Sequence, residues 1–182
     1  MKESEPLSKP TARETSSGGL DESDPTNLLY SLIAKQPFFA GLSAAHLRLF
    51  ADSAVVIQFQ PVQYIFRQGA PANRFYLILE GNVELEMESA TREEGMISIR
   101  TLGSGNDLGW DWLFPPFYFH ASARAAEPTK TISFFGTRLH QQCEENHDLG
   151  YEIMKCIAMV TVQSFGVIQQ KLLECKGAKD RI

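Results

Sequence analysis

No apolar run approaches the ~20 residues a membrane-spanning helix needs, and the opening Met1-Lys-Glu-Ser-Glu-Pro lacks the basic and then apolar regions of a secretory signal. A soluble, cytoplasmic protein without membrane contact is expected. Basic charge is also scarce: 17 Lys and Arg stand against 22 Asp and Glu, a net charge of −5, and the cations are scattered. Phosphate backbones need a basic face, so nucleic-acid binding by this chain alone is not expected. The three cysteines, Cys143, Cys156 and Cys175, are widely spaced and contain no Cys-x-x-Cys pair, which argues against a disulfide framework or a zinc site. His46, His120, His140 and His147 form no i, i+4 pair, so no metal is expected. A haem or redox sensor is the least favoured reading. No Ser-His-Asp, Cys-His or paired-carboxylate signature occurs, and the chain is read as a non-enzyme.

What is present fits one domain with appendages, 43% of 182 residues being hydrophobic. Residues 1–25 hold few large apolar side chains and are read as a disordered arm. Leu28, Leu29, Leu32 and Ile33 form one face of a short helix, and Ser43 caps a second that buries Leu47 and Phe50. From Ala54 the apolar period changes to two. Short strands are expected near Val55–Phe59, Tyr64–Arg67, Phe75–Leu79, Val83–Met87, Ile97–Arg100 and Thr131–Phe134, with Val83, Leu85 and Met87 facing inward. That pattern predicts a mainly β fold with flanking helices, a sandwich, barrel or roll over 26–147. The acidic run beginning at Glu144 is read as the N-terminal cap of a long helix over 148–176, with 177–182 as a tail. Along that helix Ile153, Ile157, Val160, Ser164, Val167, Ile168 and Leu172 follow steps of three and four and suggest a homodimer seam; the alternative is that the helix folds back on its own domain.

Two stretches carry a family resemblance: Phe66-Arg-Gln-Gly-Ala-Pro-Ala-Asn-Arg-Phe-Tyr-Leu-Ile-Leu-Glu-Gly-Asn-Val-Glu-Leu85 and Gly103-Ser-Gly-Asn-Asp-Leu-Gly109. With the long helix that follows, residues 28 to 175 resemble the cyclic-nucleotide-binding domain of catabolite-activator-like (Crp/Fnr-type) regulators. The resemblance implies a jelly-roll-like β-roll with a long C-terminal helix. Transcriptional relatives place a helix-turn-helix domain after that helix, whereas only seven residues follow Cys175 here, so no DNA-reading module is expected.

The family signature reads Gly, Glu, and about ten residues later Arg, then Ser or Thr, then Ala, supplying N–H groups and a guanidinium for phosphate and a carboxylate for ribose. In this chain Gly109 keeps the glycine, Trp110 stands at the Glu position, and His120, within a residue, at the Arg position. Losing a bidentate Arg costs ~2–4 kcal/mol, or about 30- to 1000-fold in affinity. Asp111 is a substitute hydroxyl acceptor and Arg124 a substitute cation on the following strand. The candidate ligand residues are thus Leu108, Gly109, Trp110, Asp111, His120, Ser122 and Arg124, for a cyclic nucleotide or another flat molecule; no cofactor is certain. Trp110, Trp112, Phe114, Phe117, Tyr118 and Phe119 either wall a pocket, dock a protein partner, or refill the vacated space. The first reading is a sensor or adaptor that signals through a partner protein, and the second a ligand-free interaction module.

Overall fold

The computed structural model describes residues 25–89 and 95–179; in the last helix, the side chains of 167, 168 and 170 onward lie outside that description. The N-terminal arm therefore falls outside the described residues, as do the end of the tail and the seam positions Val167, Ile168 and Leu172.

Two helices, α1 (Pro25–Ala34) and α2 (Ala44–Asp52), precede eight strands: β1 (Ala54–Phe59), β2 (Tyr64–Phe66), β3 (Arg74–Glu80), β4 (Val83–Glu88), β5 (Met96–Leu102), β6 (Asp107–Leu108), β7 (Ser122–Ala125) and β8 (Thr129–Phe135). Helices α3 (Gly136–Glu145) and α4 (His147–Lys179) follow. Ser43 caps α2 as expected, its Oγ accepting from the N–H of His46. The strands form two antiparallel four-stranded sheets, ordered β1-β8-β3-β6 and β2-β7-β4-β5, which make the β-roll.

Strand β3 shows why its sequence is apolar without interruption. Phe75 and Leu77 point into a core shared with the helices, while Tyr76 and Ile78 point into the interior between the sheets. A strand covered on both faces has no polar face to alternate with. Strand β4 departs from the expected alternation. Val83 is inside, but Met87 is 41% exposed while Glu86 is only 6% exposed. Glu86 shares a face with Glu84, both reaching Arg124 while β4 pairs β7 in unbroken register. Arg124 and Tyr64 close over that face and bury it, and the β4–β5 register shift places its extra residue on β5.

The long helix is present, and its N-terminus is capped by Asn146, whose Oδ1 accepts from the N–H of Leu149. Glu144 and Glu145 instead close α3, a helix the sequence reading did not separate. At 33 residues, α4 spans about 50 Å. Its first turns belong to the domain: Leu149, Ile153, Cys156 and Ile157 are buried with Ile33, Phe38 and Phe39 in the helical core. This corrects the assignment of Ile153 and Ile157 to a seam between chains, since the fold-back that was the alternative consumes both. Tyr151, Met154, Val162 and Phe165 face outward instead. Among the described residues no helix is long and apolar enough to cross a membrane.

Candidate functional site

The turn between β5 and the segment after β6 is built tightly against β3. Gly105 adopts φ +82° and donates its N–H to the carbonyl of Ile78, while the N–H of Ile78 bonds Asn106. Gly109, at φ +85°, leads into a 3₁₀ turn over Trp110–Trp112. A Cβ at Gly109 would lie 3.2–3.3 Å from Phe119, Phe66 and the carbonyl of Arg74, so both conformation and space favour glycine.

Trp110, at the position where the family signature has Glu, is turned into the core. Its ring stacks between Phe38 at 4.6 Å and Phe75 at 4.5 Å, and its N–H donates to the Asp107 carboxylate. Trp112 is fully packed, and Phe119 stacks on Phe66 at 3.9 Å. Phe114, Phe117 and Tyr118 are exposed. The aromatic cluster thus divides into rings that complete the core and rings that reach solvent, and it does not refill the pocket.

A cavity of about 360 Å³ remains between this turn, strand β5 and helix α4. That volume lies within the range of small-molecule sites. Phe38, Phe66 and Trp110 supply apolar wall, and α4 contributes Cys156, Met159, Val160, Gln163 and Ser164. Val160 and Ser164, expected in a dimer seam, therefore line the cavity. Leu108 lines it too but is packed into the roll, only 3% exposed.

The polar candidates separate into two groups. Asp111 and His120 are brought together at the rim, where the Asp111 carboxylate bonds His120 Nδ1. Ser122 and Arg124 are not at the cavity. Ser122 is buried, its Oγ accepting from the N–H of Gln68. Arg124 donates through Nε to Glu86 at 2.8 Å and through Nη2 to Glu84, and the bond to Glu86 raises the guanidinium's pKa. Tyr64 donates its hydroxyl to the same Glu86. Arg124 thus neutralises a buried carboxylate, and its assignment to the ligand pocket is corrected, as is that of Ser122.

The residue that sequence reasoning missed is Arg100, on β5 three positions before Gly103. Among the described lining residues it is the only Lys or Arg, and its Nη1 donates to Ser164 Oγ of α4 at 3.2 Å. Arg100 ends the alternating Ile97-Ser-Ile-Arg run, upstream of the segment in which the family signature places its site residues.

Burial raises the Asp107 carboxyl above its ordinary value, and the Trp110 N–H pulls the other way. The folded chain therefore binds this proton at higher pH than the unfolded chain. The resulting stability is lost as pH rises from the ordinary carboxylate value of about 4 through the raised one. Asp107→Asn is expected to raise Tm near pH 7, with the gain disappearing below about pH 4 in thermal melts. An equal gain at both pH values would contradict this origin.

Neither Cys143 nor Cys156 offers a thiolate at neutral pH: burial pushes Cys143 up to about 11 and also raises Cys156. No group of three or more His, Cys, Asp or Glu among the described residues could hold a metal ion.

Comparison with known proteins accords with this architecture. The sequence model of the cyclic nucleotide-binding domain matches residues 56–146, half of the chain. A protein described as a potassium channel, from Rhodopseudomonas palustris, is 28% identical over 110 residues, which are 60% of this chain and 26% of that protein. The chain thus spans about a quarter of the length of this curated relative. Among solved structures, one described as a cyclic nucleotide-binding protein, from Geobacter metallireducens, is 27% identical with a TM-score of 0.65, covering 76% of this chain and 96% of that one. A mutant regulatory subunit of a cAMP-independent protein kinase A from Trypanosoma brucei, bound to cAMP, shares the fold at 22% identity and a TM-score of 0.66, covering 81% and 52%. With the family match running from β1 through α3 over a roll of two four-stranded sheets, this chain belongs to the cyclic nucleotide-binding domain family.

Proposed function

We propose that this domain is a non-catalytic sensor in which a small flat ligand, a cyclic nucleotide or a molecule of similar size, occupies the cavity and sets the position of α4 for a partner protein to read. One observation carries this reading: a single cavity has the Gly105–Asp111 segment as one wall and Cys156, Val160 and Ser164 of α4 as another. An occupant touching both walls acquires differential affinity for helix positions, which is what coupling requires. The cAMP bound to the Trypanosoma relative supports the ligand class. Affinity for a cyclic nucleotide in the family's usual pose is low, because Trp110 brings no carboxylate and the His120 imidazole at the rim is already bonded to Asp111.

Thermal melts with cyclic AMP, cyclic GMP and cyclic dinucleotides test this. A ligand at 100 times its Kd adds about 2.7 kcal/mol, a rise of roughly 5–10 °C for a domain of this size. No shift at millimolar ligand would sink the sensor reading. It would favour a ligand-free module docking through Phe114, Phe117 and Tyr118, whose exposure is the observation behind that second reading.

The chain is further read as a homodimer through the outward face of α4. Tyr151, Met154, Ala158 and Phe165 follow steps of three, four and seven on a helix far longer than its own core needs. Tyr151 and Phe165 are 65% and 60% exposed. Phe165→Glu is expected to convert dimer to monomer without unfolding, as measured by light scattering, and an unchanged mass would contradict that role.

A further inference from the structure

We infer that Arg100 is the anion-recognising group of this cavity and that its bond to Ser164 is the latch a ligand's anionic group opens. The inference rests on the sensor reading and deepens it by naming the ligand's charge and the contact through which α4 responds. The family-signature end of the cavity is unsuited to an anion, since Asp111 and Asp107 are both there and His120 is already paired with Asp111. Arg124, the other nearby guanidinium, is held by Glu84 and Glu86. Among the described lining residues Arg100 alone offers a permanent cation to the interior; Asp107 lies within its field, but its bond to Ser164 Oγ leaves other N–H donors of its guanidinium for a ligand.

A phosphate or carboxylate accepts from guanidinium more strongly than a neutral hydroxyl does. An entering anion therefore competes with Ser164 for Arg100 and frees α4 from β5 at that point. The ligand so described is a flat molecule with one anionic group seated at the β5–α4 side, its aromatic body against Phe38, Phe66 and Trp110. Its orientation is the reverse of one with phosphate at the Gly109 turn.

Titration calorimetry with cyclic AMP, adenosine and 1-naphthoate tests this on the wild type, Arg100→Gln and Ser164→Ala. Cyclic AMP and adenosine differ in the phosphate, and 1-naphthoate supplies a carboxylate on a flat body, so the three distinguish the two anion sources. Arg100→Gln is expected to weaken anion binding by about 10- to 100-fold and leave adenosine unchanged. Ser164→Ala is expected to tighten the anion severalfold, the reverse of what loss of a structural contact would do. Anion binding indifferent to Arg100→Gln, or adenosine binding without either anion, would overturn the inference and leave the sensor reading standing. Unchanged or weaker binding by Ser164→Ala would overturn the latch. Absence of binding by all three probes overturns both.

Discussion

Trp110→Glu, which restores the family's residue type at its position, is expected to destabilise the domain by about 4 kcal/mol or more rather than to create a nucleotide site. The indole lies between Phe38 and Phe75 and donates to Asp107. Removing a stacked aromatic of this size costs about 3–5 kcal/mol on its own. The introduced carboxylate would also sit beside that of Asp107 and among apolar rings. For a domain with total stability of about 5–15 kcal/mol the loss is severe, lowering Tm by roughly 8–16 °C. The effect should lessen toward pH 4, where the introduced group protonates. A variant that melts like the wild type and gains cyclic AMP affinity would show that the core does not depend on the indole.

Phe75→Ala is expected to cost about 3–5 kcal/mol at every pH. Phe75 is completely buried, and its ring meets Phe134 at 4.4 Å, Trp110 at 4.5 Å, Trp112 at 5.8 Å and Phe50 at 6.2 Å. It joins sheet, helices and the turn bearing Gly109, so its deletion leaves a cavity that rigid neighbours cannot close. Chemical denaturation with an unchanged m-value and a lowered midpoint is the expected record. A loss below about 1 kcal/mol would mean that the aromatic cluster repacks freely. Taken together, the two variants separate the loss of stacking, which pH does not change, from the cost of a charge, which it does.

The period-two segments were legible because sheet burial repeats every second residue, and the capping of α2 by Ser43 because a side-chain acceptor before an apolar run has few other uses. Glu86 is buried on the polar face of β4 because Arg124 and Tyr64, distant in sequence, close over it, which no local pattern in β4 records. Helix α3 is mostly polar and buries only Gly136 and Leu139, so few apolar residues mark it in the sequence. On α4 the spacing located a buried stripe correctly, but periodicity is the same whether a stripe meets its own domain or a second copy. Asp111 and His120 were legible as candidates from the family signature, and the fold brings them together. Arg124 was read by its distance along the chain, whereas its destination was decided by Glu84 and Glu86 on the neighbouring strand. Arg100 precedes the turn and reaches the cavity only because β5 packs beside α4.

The most direct test of a ligand cavity coupled to α4 is a two-dimensional amide NMR titration of the whole chain with cyclic AMP. The account predicts that amides of residues 105–111 and 156–164 shift together along one binding curve. Shifts confined to Phe114, Phe117 and Tyr118, or a spectrum unchanged at millimolar ligand, would contradict it.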